Sequence, residues 1–285
     1  MTLFQPGDTF ARRHVSRKLG MTKGWTFFEK LWVALFTLTI VMVTVYFSIT
    51  ETDYSNTEQI IRNWLISPVS AITGIICVVL AAKGKIATYY WGIIATSTYA
   101  YIAYQSDYTG DAIINLFWFV PMNFIGIPMW RRRMTPGSDT DVAMKKLPIG
   151  QTASLFLGTV GLTILCGMLL YHVDTWFTVA MQRNQSIYSY FGTLFGDWYL
   201  LMGPILDAAT AVMQIIAQIL MAFALAEQWL FWIVINIIAV LMWGVVIQAD
   251  PGTIAWALPI LVMWIAYLLN SIFGWINWRK GATLL

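Results

Sequence analysis

Eight stretches of about 20 mostly apolar residues recur along this 285-residue chain, near 31–49, 64–82, 86–104, 112–130, 150–170, 206–226, 229–248 and 253–276. A helix of that length crosses the ~30 Å hydrocarbon core of a bilayer. Too little sequence remains between the stretches for a separate soluble domain. Composition agrees, with 59% hydrophobic and 11% charged residues, where ordinary globular domains carry about 25% charged. In lipid a helix satisfies its own backbone hydrogen bonds. The expected fold is therefore an all-α integral membrane protein with eight transmembrane helices.

Charge orients these spans. With the N-terminus in the cytoplasm, the inside segments hold Arg12, Arg13, Arg17, Lys18, Lys23, Lys30, Lys83, Lys85, Arg131, Arg132, Arg133, Lys145, Lys146, Arg279 and Lys280. The outside segments keep only Arg62 and Arg183. This is a strong positive-inside bias, and it places both termini in the cytoplasm. The Arg131-Arg132-Arg133 run reads as a membrane anchor rather than a nucleic-acid patch. The first span is long for a signal peptide, and Thr50-Glu51-Thr52-Asp53 offers no small-residue cleavage pattern. Cys77 and Cys166 lie inside spans and read as small apolar residues rather than a disulfide. Trp64, Tyr89, Trp130, Tyr171, Trp229 and Trp278 mark span ends, as interfacial belts do.

The order of features repeats. From Pro68, and again from Pro204, the chain runs span, tight inside turn, span, outside turn, span. Asn123…Gly126…Trp130-Arg131 resembles Asn270…Gly274…Trp278-Arg279. One span between the two units gives them the same orientation, so they are parallel repeats with a solute site expected near the midplane between them. The expected organisation is a basic cytoplasmic N-terminus (1–30), an accessory helix and outside loop (31–63), a first three-helix repeat (64–130), a cytoplasmic linker and linker helix (131–171), an outside aromatic segment (172–205), a second three-helix repeat (206–278) and a cytoplasmic C-terminus (279–285). That is one accessory N-terminal helix plus a 3+1+3 parallel duplicated bundle.

No span carries Lys, Arg, Asp, Glu or His near its centre; Asp107, Asp111, Asp207, Glu227 and Asp250 sit at ends or in loops. Intramembrane ionisable residues mark proton and ion relays, so this pattern argues against a pump, an ion-coupled symporter or a voltage sensor. It also argues against carriage of phosphorylated solutes, which want a buried cation. His14 and His172 lie outside the spans, so no haem, metal or other cofactor is expected within the bundle. No nucleophile–base pair supports a membrane enzyme.

The spans do contain amides, hydroxyls and aromatic rings at helical spacing. Asp207, Thr210, Gln214 and Gln218 share one face of the sixth span, and Trp229, Trp232 and Asn236 one face of the seventh. On the fourth, Asn115 and Trp118 are three apart, with Asn123 on a nearby face; the eighth adds Trp264, Tyr267 and Asn270. Amides in spans also serve as interhelical hydrogen bonds, and aromatics also pack. The recurrence of amide plus Trp on both repeats points instead to an unphosphorylated, polyhydroxylated aromatic solute. Trp faces would also attract a cation.

The run Ser67-Pro68-Val69-Ser70-Ala71-Ile72-Thr73-Gly74 through Ala81-Ala82-Lys83-Gly84-Lys85 resembles the Pnu vitamin transporter family. So do Tyr99-Ala100-Tyr101-Ile102-Ala103-Tyr104-Gln105, Asn115-Leu116-Phe117-Trp118-Phe119-Val120-Pro121-Met122-Asn123, Leu206-Asp207-Ala208, Gln218–Met221, Glu227-Gln228-Trp229 and Ile276–Lys280. The resemblance covers about 64–280 and is nearest to the nicotinamide riboside branch. It implies a SWEET-like duplicated bundle, a homotrimer, and facilitated diffusion of nicotinamide riboside across a bacterial inner membrane. A separate cytoplasmic kinase would then trap the vitamin for NAD synthesis. Thiamine and riboflavin carriers share the scaffold. The expected substrate site comprises Asn115, Trp118, Asn123, Gln214, Gln218, Trp232 and Asn236, with amides on the ribose and carboxamide and rings on the pyridinium. A non-transporting scaffold subunit is the remaining alternative.

Overall fold

The computed structural model describes residues 25–106, 109–134, 142–180 and 196–284. The expected basic residues Arg12 to Lys23, and Tyr188, Tyr190, Phe191 and Phe195 of the outside aromatic segment, lie outside them. Helix α1 is Phe27–Glu51, α2 Thr57–Ala82, α3 Ala87–Gln105 and α4 Gly110–Arg131. Helix α5 is Ile149–Ala180, α6 Asp197–Ala222, α7 Gln228–Ala249 and α8 Ile254–Gly281.

Six helices among the described residues are long and apolar enough to cross a membrane: α1, α2, α4, the Ile149–Leu169 part of α5, α7 and α8. The expected third and sixth spans stand apart. Helix α3 carries Thr88, Thr96, Ser97 and Thr98 among its tyrosines, and the apolar part of α6, Ala208–Ala222, is shorter. Helix α5 continues past the expected end near 170, because Tyr171–Ala180 contains neither Gly nor Pro to stop it. Helix α6 begins nine residues before the expected 206.

Two prolines reshape the helices that bear them. Proline lacks an N–H, and its ring presses on the carbonyl four residues back. Directly before Pro68, α2 widens into a π turn over Arg62–Ile66, with Ser67 N–H donating to Arg62 O. Directly before Pro121, α4 does the same over Asn115–Phe119, with Val120 N–H donating to Asn115 O. These i→i+5 bonds add about one residue to the turn and rotate what precedes it relative to an α-helix.

Helices α2 and α3 form a hairpin at Lys83–Ile86, and α6 and α7 one at Phe223–Glu227. Both turns place a left-handed residue after the helix, Gly84 (φ 65°) and Ala224 (φ 56°). The next N–H then returns to the helix, Lys85 to Leu80 O and Leu225 to Leu220 O, each at 2.9 Å. The linker stitches the two turns together. Val142 N–H donates to Gly84 O, Lys145 N–H to Ala224 O, and Leu147 N–H to Glu227 Oε1. Strand β1, Lys145–Lys146, also pairs in parallel with β2, Thr283–Leu284.

Across the molecule α2 lies against α8, and α4 against α6. Helix α1 packs on α8 and α2 and leaves Leu31, Leu35, Leu38, Met42 and Val45 exposed. Its start is fixed by a capping box between Thr26 and Glu29. The buried Glu29 carboxylate also receives Lys83 Nζ at 2.8 Å.

Candidate functional site

Two buried aromatic clusters bracket the middle of the bundle. One gathers Tyr99, Trp243, Trp256 and Trp264, with Trp243 Nε1 donating to the Tyr99 hydroxyl at 3.2 Å. The other gathers Tyr89, Trp130, Trp229 and Trp278 beside the hairpin turns. Between them lies a cavity of about 120 Å³, on a scale where one water needs roughly 10–15 Å³. Its wall comes from α2, α3 and α4 on one side and α6, α7 and α8 on the other, and includes no residue of α1 or α5.

Six of the seven expected residues line this cavity: Asn115, Asn123, Gln214, Gln218, Trp232 and Asn236. Trp118 does not. The π turn over Asn115–Phe119 breaks the α spacing that put Asn115 and Trp118 on one face, and Phe119 comes to the wall in its place. Phe119 lies 6.0 Å from the Trp232 ring, inclined at 34°.

The amides are held locally. Asn115 Nδ2 donates to Asp111 O one turn back at 2.9 Å. Asn123 Nδ2 donates to Thr96 Oγ1 at 3.5 Å, and Asn236 Nδ2 donates to Ser271 Oγ at 3.2 Å. Those two pairs match, joining α3 to α4 and α7 to α8 with hydroxyl and amide exchanged. The counterpart of Asn123 is therefore Ser271, not the expected Asn270. Asn270 serves packing, its Nδ2 reaching Val78 O on α2 at 2.8 Å.

Glycines bring the walls close. A Cβ on Gly92 would stand 2.7 Å from Asn123 Oδ1, and one on Gly274 would stand 2.7 Å from the Trp229 ring. One on Gly126 would strike Tyr89. Small residues at such crossings let helices approach.

The wall also holds residues that sequence reasoning did not select: Tyr99, Asp111, Cys77, Gln228, Trp229 and Ser271. Asp111 was placed at a span end; it faces the cavity, with Tyr99 OH donating to Oδ2 at 3.1 Å and Gln214 Nε2 to Oδ1 at 3.3 Å. Its spacing of four from Asn115 was the available signal. Asn236 Oδ1, Gln228 Oε1, Trp229 Nε1 and Trp264 Nε1 are buried in this wall with no protein partner. Such orphaned groups cost about 1–3 kcal/mol each unless something else satisfies them.

A largely apolar cavity between two groups of membrane helices, with a few amides, hydroxyls and indoles set into its wall, has the make-up of a solute-transporter site. The family model described as nicotinamide mononucleotide transporter matches residues 63–280. The chain is 34% identical to the nicotinamide riboside transporter PnuC of Neisseria mucosa over 90% of this chain and 82% of that protein. It is 32% identical to PnuC of Haemophilus influenzae, over 92% and 94% respectively. The crystal structure of a vitamin B3 transporter PnuC superposes with a TM-score of 0.65 at 32% identity, covering 90% of this chain and 92% of that one. The chain belongs to this nicotinamide mononucleotide transporter family, a family of multi-pass membrane carriers.

Proposed function

We propose that this chain carries nicotinamide riboside across a bacterial inner membrane by facilitated diffusion. The carrying observation is the set of orphaned neutral donors and acceptors in an enclosed, ring-lined cavity. Two acceptors, Asn236 Oδ1 and Gln228 Oε1, suit ribose hydroxyls and the carboxamide N–H₂. Two indole donors, on Trp229 and Trp264, suit hydroxyl and carbonyl oxygens. The wall contains no Lys, Arg or His among the described residues, which favours the riboside over the phosphorylated mononucleotide. The similarity to nicotinamide riboside transporters points the same way.

In this reading Asn115, Asn123, Gln214, Gln218 and Asn236 hold the ribose and carboxamide, and Trp232 with Phe119 faces the pyridinium. The chain crosses the bilayer eight times as an accessory helix plus a 3+1+3 SWEET-like bundle, with both termini cytoplasmic. It works as a homotrimer, rocking one three-helix unit against the other. A cytoplasmic kinase then consumes the imported riboside. Counterflow in proteoliposomes tests the function. Labelled nicotinamide riboside accumulates against an unlabelled internal pool, and the mononucleotide, thiamine and riboflavin do not compete. Competition by thiamine alone would reassign the solute, and absence of any flux would leave a scaffold subunit.

A further inference from the structure

We infer that Asp111 selects a positively charged ring over a neutral one, an inference that rests on the nicotinamide riboside reading above. Asp111 supplies the one formal charge in the cavity wall among the described residues. It stands in the first turn of α4, where the positive end of the helix dipole favours an ionised carboxylate. Both oxygens are positioned, by Tyr99 of α3 and by Gln214 of α6, so the carboxylate is fixed where the two three-helix units meet. Charge acts over several ångströms in a cavity walled by apolar helices, because the medium screens it far less than water does. The ribose and carboxamide of nicotinamide riboside are neutral and are served by the amides and indoles. The pyridinium nitrogen is its sole cationic feature, and a wall whose described residues supply one carboxylate and no Lys, Arg or His is the electrostatic complement to it. Asp111 is thus a specificity-determining residue, separate from the groups that recognise hydroxyls. Trp232 adds cation–π attraction but cannot by itself distinguish the two roles.

The reduced, uncharged dihydro form of nicotinamide riboside keeps the ribose and carboxamide and removes the charge, so it isolates the effect. Binding of both forms to the purified full chain is measured by titration calorimetry for wild type and Asp111→Asn. Wild type prefers the cation by more than tenfold. Asp111→Asn lowers cation affinity by on the order of tenfold and leaves the dihydro form within about twofold. Equal weakening of both forms, or unchanged affinity for the cation, overturns the assignment. If Asp111→Asn does not fold, equal wild-type affinities for the two forms overturn it just as well. A wild-type protein that binds neither form overturns the transport reading, and this assignment with it; binding of the cation with Asp111→Asn unaffected overturns this assignment alone.

Discussion

Gly92 decides how near an amide can stand to the helix beside it. A methyl group at that position would meet Asn123 Oδ1 at 2.7 Å, so Gly92→Ala displaces the amide and its long bond to Thr96. Nicotinamide riboside affinity should fall about tenfold, equivalent to about 1.4 kcal/mol, with the unfolding temperature nearly unchanged; unaltered affinity would show that Asn123 does not contact the solute. Gly274→Ala has the opposite signature, since its methyl meets the buried Trp229 ring. Overpacking of this kind costs about 1–3 kcal/mol and should appear first as a lower midpoint in thermal unfolding of the detergent-purified protein. Cys77 gives a direct readout of occupancy because it lines the cavity. Bound solute should slow its alkylation by maleimide while Cys166, which is not in the wall, reacts at an unchanged rate. Most of the site was legible at this scale because amides in an apolar span are costly and therefore conspicuous. Asp111 was not, since an acidic residue near a helix start reads as an interfacial one until the helix packing turns it inward.

At the scale of elements, the long helices were legible from apolar length, and their internal geometry was not. Helical spacing assigned Asn115 and Trp118 to one face, an inference that holds only for uninterrupted α-helix. Pro121 was in view, yet its consequence one turn earlier depends on how the freed carbonyls are re-satisfied, which the sequence does not state. With the π turn in place it is Phe119 rather than Trp118 that lines the cavity. Exchanging the two tests this. Phe119→Ala should weaken solute binding by about tenfold, because it removes the ring against Trp232. Trp118→Phe should leave affinity within about twofold. The reverse outcome would restore the α-helical register in the protein's working state.

Across the whole molecule, two indoles bridge the hairpin end reciprocally, through three hydrogen bonds. Trp130, at the end of α4, donates from Nε1 to Met221 O of α6 at 2.8 Å. Trp278, near the end of α8, donates to Ala81 O and Ala82 O of α2, at 3.2 and 3.1 Å. The two rings sit 6.1 Å apart, both fully buried. In the rocking motion proposed above, opening the cavity toward the hairpins would break these indole bonds. A typical hydrogen bond contributes a net 0.5–1.5 kcal/mol, so Trp130→Phe should raise the open population by roughly two- to tenfold. Faster maleimide labelling of Cys77 in the unliganded protein would report it, and an unchanged rate would place the barrier elsewhere.

The exchanged pairs Thr96–Asn123 and Asn236–Ser271 have a consequence for how a solute lies. A perfectly duplicated cavity would offer any guest two head-to-tail poses of equal energy. A lopsided guest, ring at one end and sugar at the other, would then occupy both. Swapping amide for hydroxyl between the halves, with Asp111 the one carboxylate in the wall among the described residues, lifts that degeneracy. The frame of the bundle is close to twinned, but its interior is handed, and the two ways of laying a lopsided guest in it are not equivalent.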